Sequence, residues 1–182
     1  STLFPYTTLF RSVSAAFAAV NRIDDFAYMP QQNIAHAMTT LMAQNKGAKK
    51  TDRIKAAFRC GMKIELFYGI FIFFVCFFLA HPLMQLFSND PVVCKHGVTY
   101  LKLISLMYLF PAVTNGVQGY FRGIGDLKIT LISSFVNMSV RVIFAAVLVF
   151  HFSLQIEALP FSYLAGWIGM LLAEVPLLLR KF

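Results

Sequence analysis

The stretch from Ile64 to Phe87 constrains the fold more than any other part of this sequence, because it is long and largely apolar. An α-helix needs about 20 apolar residues to cross the hydrocarbon core of a membrane. Lys and Arg resist translocation and stay on the cytoplasmic side. The sequence therefore predicts a transmembrane helix that starts at a cytoplasmic loop, residues 44–63. Against one acid, Asp52, this loop carries the basic residues Lys46, Lys49, Lys50, Arg53, Lys55, Arg59 and Lys63.

The composition of the whole chain agrees with a membrane protein. Of its 182 residues, 58% are hydrophobic and 13% are charged, whereas ordinary soluble domains contain about 25% charged residues. The mean hydropathy is +0.68. The net charge of +8 does not indicate a nucleic-acid partner, because the basic residues lie in short segments between apolar runs. We therefore predict an all-α integral membrane protein with membrane lipid as a partner and no nucleic acid.

Five transmembrane helices are predicted, over residues 15–44, 64–87, 97–121, 129–152 and 159–179. Because successive spans alternate in direction, the 44–63 loop, the 122–128 loop and the C-terminus share one side of the membrane. That side carries nearly all of the Lys and Arg residues between spans, which makes it the cytoplasmic side. We expect a multi-pass protein of the cytoplasmic (inner) membrane with a cytoplasmic C-terminus.

The first twelve residues are treated separately. Residues 2–12, TLFPYTTLFRS, resemble the translation of a common sequencing adapter, and the chain has no initiator Met. We interpret residues 1–12 as an artefactual leader and residues 13–182 as the transmembrane helical bundle. The natural protein is then expected to begin further upstream.

The first predicted span contains more polar residues than a lipid-facing helix tolerates. This favours a span with one side turned toward protein or a watery cavity; the alternative is an amphipathic helix on the membrane surface. Pro30 fits a kinked span. Arg22 and Asp25 are spaced to pair on one helix face, which leaves Asp24 as the better candidate for a free acid. The candidates for a substrate or ion pathway in this span are Arg22, Asp24, Asp25, Gln31 and Asn33.

Later spans also contain polar residues. Asn115 and Gln118 follow Pro111 in the third span, as in kinked transporter helices, or they join helices without a ligand. Arg141 lies near the middle of the fourth span. It is either a cavity residue or a packing bridge to a neighbouring carbonyl or Asn. Glu174, in the last span, is expected to be paired near the membrane interface.

The sequence gives little support for catalysis. Patterns such as HExxH, GxSxG and the nucleotide-binding loop are absent from it. Cys60, Cys76 and Cys94 are scattered and do not have the spacing of a metal or redox site. We therefore predict no catalytic, cofactor-binding or metal-binding residue.

Two motifs resemble the multidrug and toxic compound extrusion (MATE) family of transporters. Residues 29–59 are similar to the second span of that family's C-terminal lobe and to the Gln-Asn-x-Gly-Ala loop after it. Residues 120–128 are similar to the family's Arg-Gly-x-Gly-Asp-x-Lys loop. Arg141 in the next span and the pair Gly166–Trp167 in the last span also fit. The resemblance covers residues 13–182. The loop residues that carry it are Gln44, Asn45, Gly47, Ala48, Arg53, Arg122, Gly123, Gly125, Asp126 and Lys128.

The resemblance implies twelve spans in two six-helix lobes, of which this chain supplies spans eight to twelve. It implies an antiporter that exports small organic, often cationic, compounds in exchange for Na⁺ or H⁺, with no cofactor besides this coupling ion. The missing N-terminal lobe of the same chain is then a partner. We expect the coupling carboxylate there, because the third span offers no acid. Gly47, Gly123 and Gly125 are expected to allow tight backbone geometry in the loops.

Two alternatives stay open at this point. One is a lipid-linked precursor flippase of the same superfamily, which a strongly cationic cavity would favour; a single mid-span Arg among neutral Asn and Gln residues favours drug export instead. The other is a non-transporting membrane scaffold or enzyme. We also expect that the 182-residue chain alone does not transport, because half of the cavity wall is missing.

Overall fold

The computed structural model describes residues 3–152 and 158–181, and for residues 3–11, 13, 151, 152 and 158 it describes the backbone only. The elements of the described residues are helices. In chain order they are α1 (Leu3–Gly47), α2 (Thr51–Phe78), α3 (Ala80–Gln85), α4 (Pro91–Ser105), α5 (Leu109–Gly123), α6 (Leu127–Phe152) and α7 (Ala158–Leu179). The predicted all-α class is confirmed. Residues 153–157, which lie between the last two predicted spans, are outside the described residues.

Helix α1 is longer than the predicted first span. It begins at Leu3 and continues through Pro30 to Gly47 without interruption. Part of the adapter-like leader therefore has helical backbone, while the side chains of residues 3–11 lie outside the described part. The origin of the leader stays a prediction, since a helical backbone does not depend on where a sequence comes from.

Two predicted spans are broken in the structure. The second ends at Phe78, and Leu79 separates it from the short helix α3. The third starts at Pro91, where the Asp90 side chain accepts a hydrogen bond from the Val92 amide at 2.8 Å. It then bends by 47° between α4 and α5.

The bend between α4 and α5 comes just before Pro111, where the sequence predicted a kink. Proline has no N–H and cannot bond to the carbonyl four residues earlier. That carbonyl, on Met107, accepts a hydrogen bond from the Phe110 amide at 2.9 Å instead. The proline thus explains the break, which falls at residues 106–108.

The helices differ in how well they suit a membrane. Within the described residues, α2, α6 and α7 are long and apolar enough to cross one, and α4 with α5 qualifies as a bent pair. Helix α1 does not qualify, in agreement with its polar content. The five predicted spans thus correspond to three clear membrane helices, one broken span and one polar helix inside an all-α membrane fold.

One end of the bundle, here called the basic end, gathers the turn at 48–50, the loop at 124–126 and the end of α7. Lys46 Nζ donates a hydrogen bond to the Ile124 carbonyl. The Lys181 ammonium lies 3.2 Å from an Asp126 carboxylate oxygen. These contacts confirm that the three predicted loops and ends share one end of the molecule.

Of two loop glycines that were expected to allow tight backbone geometry, Gly125 does so in the structure and Gly47 does not. Gly125 has φ +75°, a left-handed conformation that suits a residue without a β-carbon. Gly47 is the last residue of α1, with open space around it, and the left-handed position falls on Lys49 at φ 56°. The expectation for Gly47 is therefore wrong, because the turn tightens two residues later.

Glycines bring α5 close to α1. A β-carbon on Gly119 would lie 2.9 Å from the Ala35 carbonyl oxygen, and one on Gly123 would lie 2.7 Å from the Met42 β-carbon. The Thr39 hydroxyl donates to the Gly119 carbonyl at 3.2 Å. Small residues allow such close helix packing in membranes, where backbones must approach each other.

Two apolar clusters fill the bundle on either side of a polar layer. Near the basic end, Met42, Val117 and Phe121 belong to a cluster of α1, α2 and α5. At the other end, residues of α1, α2, α3 and α4 form the second cluster, with Val20 and Leu101 at 0% exposure. Between them lie polar side chains of α1, α2 and α5, and these position the candidate site.

Candidate functional site

An open cavity of about 330 Å³ lies among α1, α4, α5, α6 and α7. Its wall combines amide and hydroxyl side chains with aromatic rings, an acid and a guanidinium group. Such a mixture of a large contact surface with few polar groups is typical of small-molecule sites. The lining residues are Asn21, Asp24, Tyr28, Ile104, Met107, Thr114, Asn115, Gln118, Ser134, Asn137, Arg141, Tyr163, Trp167 and Met170.

Hydrogen bonds between helices hold the polar wall of the cavity. The Tyr28 hydroxyl of α1 donates to Asn115 Oδ1 of α5 at 3.1 Å. Gln118 Nε2, one turn further along α5, donates to the Ser134 hydroxyl of α6 at 3.3 Å. Residues three apart share a helix face, so Asn115 and Gln118 both point into the cavity. The wall is therefore built by side-chain bonds across three helices.

Arg141 is held on an aromatic surface. Its guanidinium carbon lies 3.9 Å from the centre of the Tyr163 ring, and the Tyr163 and Trp167 rings are stacked at 6.1 Å. A β-carbon on Gly166 would collide with the Arg141 side chain, so the glycine leaves room for it. A guanidinium group over an aromatic face is stabilised by cation–π attraction. The cavity thus contains a planar cation in a fixed position.

The structure divides the predicted pathway residues into two groups. Asp24, Asn115, Gln118 and Arg141 all line the cavity. The predicted residues of α1 that do not line it are Arg22, Asp25 and Asn33, which are exposed, and Gln31, which is fully buried. The packing bridge considered for Arg141 is replaced by its contact with the Tyr163 ring. The functional roles of all these residues stay predictions.

The possible ion pair between Arg22 and Asp25 does not form. Among the side chains that the structure describes, the ion pair within 4.0 Å is Lys181–Asp126. Both Arg22 and Asp25 are exposed. An exposed pair gains little from contact and loses side-chain entropy, which accounts for the difference.

The residues of the two loop motifs lie at the basic end rather than at the cavity. Asn45 Nδ2 donates to the Leu41 carbonyl at 2.7 Å within α1. Arg122 is half-buried at the end of α5, and Asp126 pairs with Lys181. These motifs therefore shape the connections between helices. The motif residues exposed at this end are Gln44, Gly47, Ala48, Arg53, Gly125 and Lys128.

Two acids, Glu65 and Glu174, lie inside the bundle with 0% exposure. Glu65 is not among the residues predicted from the sequence, and its carboxylate oxygens have no hydrogen-bond partner among the described residues. The carboxylate of Glu174, which is predicted to be paired, interacts with Ser133, Gln118 and Arg122. An acid between apolar neighbours was the available signal at both positions. In the same described part, no group of three His, Cys, Asp or Glu side chains is placed to hold a metal ion.

The cavity and the helix order can be compared with known proteins. The family model described as MatE matches residues 11–147. The chain belongs to the MatE family. The resemblance noted from the two loop motifs is thereby confirmed.

Curated relatives of this MatE chain are named as multidrug resistance proteins and as an FAD transporter. It is 26% identical over 150 residues to the "Probable multidrug resistance protein NorM" of Thermotoga maritima, covering 82% of this chain and 31% of that protein. It is 27% identical over 124 residues to the "FAD transporter" of Shewanella oneidensis, covering 66% of this chain and 27% of that protein. The chain thus spans about a third of the length of the curated relatives it matches.

Solved structures show the same fold. An inward-facing multidrug resistance MATE family transporter superposes with a TM-score of 0.79 at 18% identity, over 91% of this chain and 39% of that one. A MOP superfamily transporter from Pyrococcus furiosus gives 0.81 at 16% identity, over 96% and 42%. The MatE chain therefore has the helix arrangement of part of a MATE transporter. The relatives and solved structures named here are described as a multidrug resistance protein and as transporters.

Proposed function

We propose that this MatE chain forms most of one lobe of an exporter of small organic compounds, driven by exchange for Na⁺ or H⁺. The observation that carries the proposal is the polar cavity, which opens inside a membrane bundle and is lined by Asp24 and Arg141. Charged residues inside a membrane protein are costly and are kept where a cavity or a ligand uses them.

The cavity supports organic substrates with aromatic surface. Asp24 would attract a cationic group, and the stacked rings of Tyr163 and Trp167 would contact a flat ring system. The relative named as a multidrug resistance protein fits this substrate class. A second candidate class, flat anionic compounds, is favoured by the Arg141 guanidinium and by the relative named as an FAD transporter.

The wider arrangement follows from the same proposal. The lobe would work with an N-terminal lobe and alternate between two open states as the coupling ion binds. The basic end would face the cytoplasm and meet anionic lipid headgroups, with the C-terminus on that side. The lipid-linked precursor flippase is not favoured, because the relatives named above are described as a multidrug resistance protein and an FAD transporter.

Two neighbouring acids of α1 test the proposed cavity. Asp24→Asn should reduce export of ethidium, a fluorescent organic cation, about tenfold or more, because a charged hydrogen-bond partner contributes about 1.5–3 kcal/mol. Asp25→Asn is the matched control, since Asp25 is exposed and does not line the cavity. The measurement is efflux from exporter-deficient cells that express the complete transporter containing this lobe.

The outcomes separate the proposals. Equal efflux by both variants would show that the cavity does not hold the substrate cation. Retained ethidium efflux in Arg141→Gln, with lost efflux of a flavin, would favour the anionic class. Efflux by the 182-residue chain alone would contradict the expectation that both lobes are needed.

A further inference from the structure

Glu65 is a buried acid that the cavity does not use. It lies in α2 with 0% exposure, and neither carboxylate oxygen has a hydrogen-bond partner in the described part of the chain. An ionised carboxylate without a partner costs several kcal/mol inside a protein or a membrane. Something must therefore remove or balance this charge.

Contacts on both sides of Glu65 place it at the junction of α1, α2 and α5. Toward the basic end, Met62 packs against Gly116, where a β-carbon would collide with its sulfur atom. Toward the other end, a β-carbon on Gly69 would lie 3.1 Å from that of Ala112. Residues 62, 65 and 69 share one helix face. The Glu65 side chain therefore faces α5 between these two contacts.

Two buried amide side chains at this junction also have an unused polar atom. Gln31 Nε2 donates to the Tyr108 carbonyl at 3.4 Å and lies 3.5 Å from the β-carbon position of Gly69, while Gln31 Oε1 has no partner. Asn115 Oδ1 accepts from Tyr28, while Asn115 Nδ2 has no partner. The junction therefore contains an unused acceptor on α1 and an unused donor on α5, the two helices that pack against α2 around Glu65, and neither is hydrogen-bonded to the carboxylate in this structure.

We propose that Glu65 binds a proton and that Gln31 and Asn115 hold the resulting carboxyl group. The new O–H would donate to Gln31 Oε1, and the carbonyl oxygen would accept from Asn115 Nδ2. The proton comes from the aqueous phase and adds to one carboxylate oxygen, so no bond within the protein breaks. One proton removes the buried charge and provides partners for both amides, which is why all three residues fit this ligand.

The groups around Glu65 favour a proton over a metal cation. From α1, Tyr28 is the titratable side chain that interacts electrostatically with it. On α5, the turn between the Gly69–Ala112 and Met62–Gly116 contacts contains Asn115, and neither Ala112 nor Asn115 titrates. In the described part of the chain no Lys, Arg or His nitrogen lies within 4.0 Å of the carboxylate, and α3 and α4 meet α2 further along, around Cys76. The Asn115 N–H donor would repel a cation but suits a carboxyl oxygen.

This site is connected to the cavity. Tyr28 and Asn115 line the cavity and are joined by their hydrogen bond. Protonation of Glu65 would give Asn115 Nδ2 a hydrogen-bond acceptor. Because Asn115 also lines the cavity, its position in the cavity wall would then depend on the protonation state of Glu65. Use of the proton for coupling rests on the proposed function, whereas proton binding at Glu65 does not.

Infrared spectroscopy of the purified 182-residue chain in lipid nanodiscs tests proton binding directly. At neutral pH we expect a C=O stretching component from the protonated Glu65 carboxyl group, and the loss of this component in Glu65→Gln. Glu174→Gln is the matched control: it removes the other buried acid and should leave the Glu65 component in place. If Glu65→Gln fails to fold, Glu65→Asp should shift the band instead.

Opposite outcomes would overturn the site. Identical carboxyl bands in the wild type and in Glu65→Gln would show that Glu65 is ionised and hydrated. Loss of the band on adding NaCl, but not choline chloride, would show a Na⁺ site in place of a proton site. A failed efflux assay with the complete transporter would count against the proposed function alone, because the infrared band does not depend on transport.

Discussion

Helices α5 and α6 follow each other in the chain but are built for opposite surroundings. Eleven of the fifteen residues of α5 are buried, and they include glycines, Thr114, Asn115 and Gln118. Helix α6 instead exposes large apolar side chains along most of its length, such as Leu131, Phe135 and Val142. One helix is surrounded by protein and the other is suited to contact lipid.

This difference shows where hydropathy fails as a guide to function. Helix α6 is a clear membrane helix, whereas α5 qualifies only together with α4, and α1 does not qualify. Yet α1 and α5 supply Asp24, Tyr28, Asn115 and Gln118 to the cavity. A helix enclosed by its neighbours can carry polar side chains, because they find partners on those neighbours.

The largest expected effect comes from adding bulk to the enclosed helix. Gly119→Leu would place a β-carbon 2.9 Å from the Ala35 carbonyl oxygen, which belongs to the backbone and cannot rotate away. Overpacking of this kind costs about 3 kcal/mol or more. We expect Tm of the chain in detergent to fall by about 6–12 °C.

Ala146→Leu on α6 is the control for this substitution. Ala146 is exposed, so the added carbons would face the surrounding detergent. The free energy of unfolding should change by no more than about 0.5 kcal/mol. Equal losses of stability in the two variants would show that α5 is not more enclosed than α6.

Much of the fold could be predicted from composition and charge, because membrane spans are long apolar stretches and the loops between them contain most of the Lys and Arg residues. The kink near Pro111 was predictable from the missing N–H. The hydrogen-bond partners of the buried polar residues could not be predicted from the sequence. Glu65 lies among apolar neighbours in sequence, and its position one turn from the contact between Gly69 and Gln31 depends on how α1 and α2 pack. The Tyr163 ring beneath Arg141 could not be predicted either, because it comes from another helix.

The contact between Arg141 of α6 and the Tyr163 ring of α7 should be disturbed by a smaller substitution. Gly166→Ala adds a methyl group where the Arg141 side chain lies, so Arg141 must move off the Tyr163 ring, at about 1–3 kcal/mol. Trp167, the only tryptophan in the chain, is stacked on Tyr163 and reports the shift. We expect a changed emission spectrum and stronger quenching by acrylamide.

Gly47→Ala is the matched control for Gly166→Ala. Gly47 ends α1 in open space, where a β-carbon would have no neighbour within 4 Å. Its Trp167 emission should equal that of the wild type, and its stability should change by about 0.5 kcal/mol or less. An unchanged spectrum in Gly166→Ala would mean that Arg141 is not held against the ring.

The smallest expected effect concerns the ion pair that joins the α5–α6 loop to the end of α7. The side chains of Lys181 and Asp126 are 46% and 29% exposed, so water and salt screen their attraction. A double-mutant cycle with Lys181→Ala and Asp126→Asn should give a coupling energy of about 0.5 kcal/mol or less. The coupling should disappear at about 1 M salt, where the screening length is about 3 Å. A coupling energy above about 1 kcal/mol that persists in salt would show that this pair fixes α7 against the enclosed helix. In that case the loop between α5 and α6 would be fixed to the rest of the protein, as α5 is.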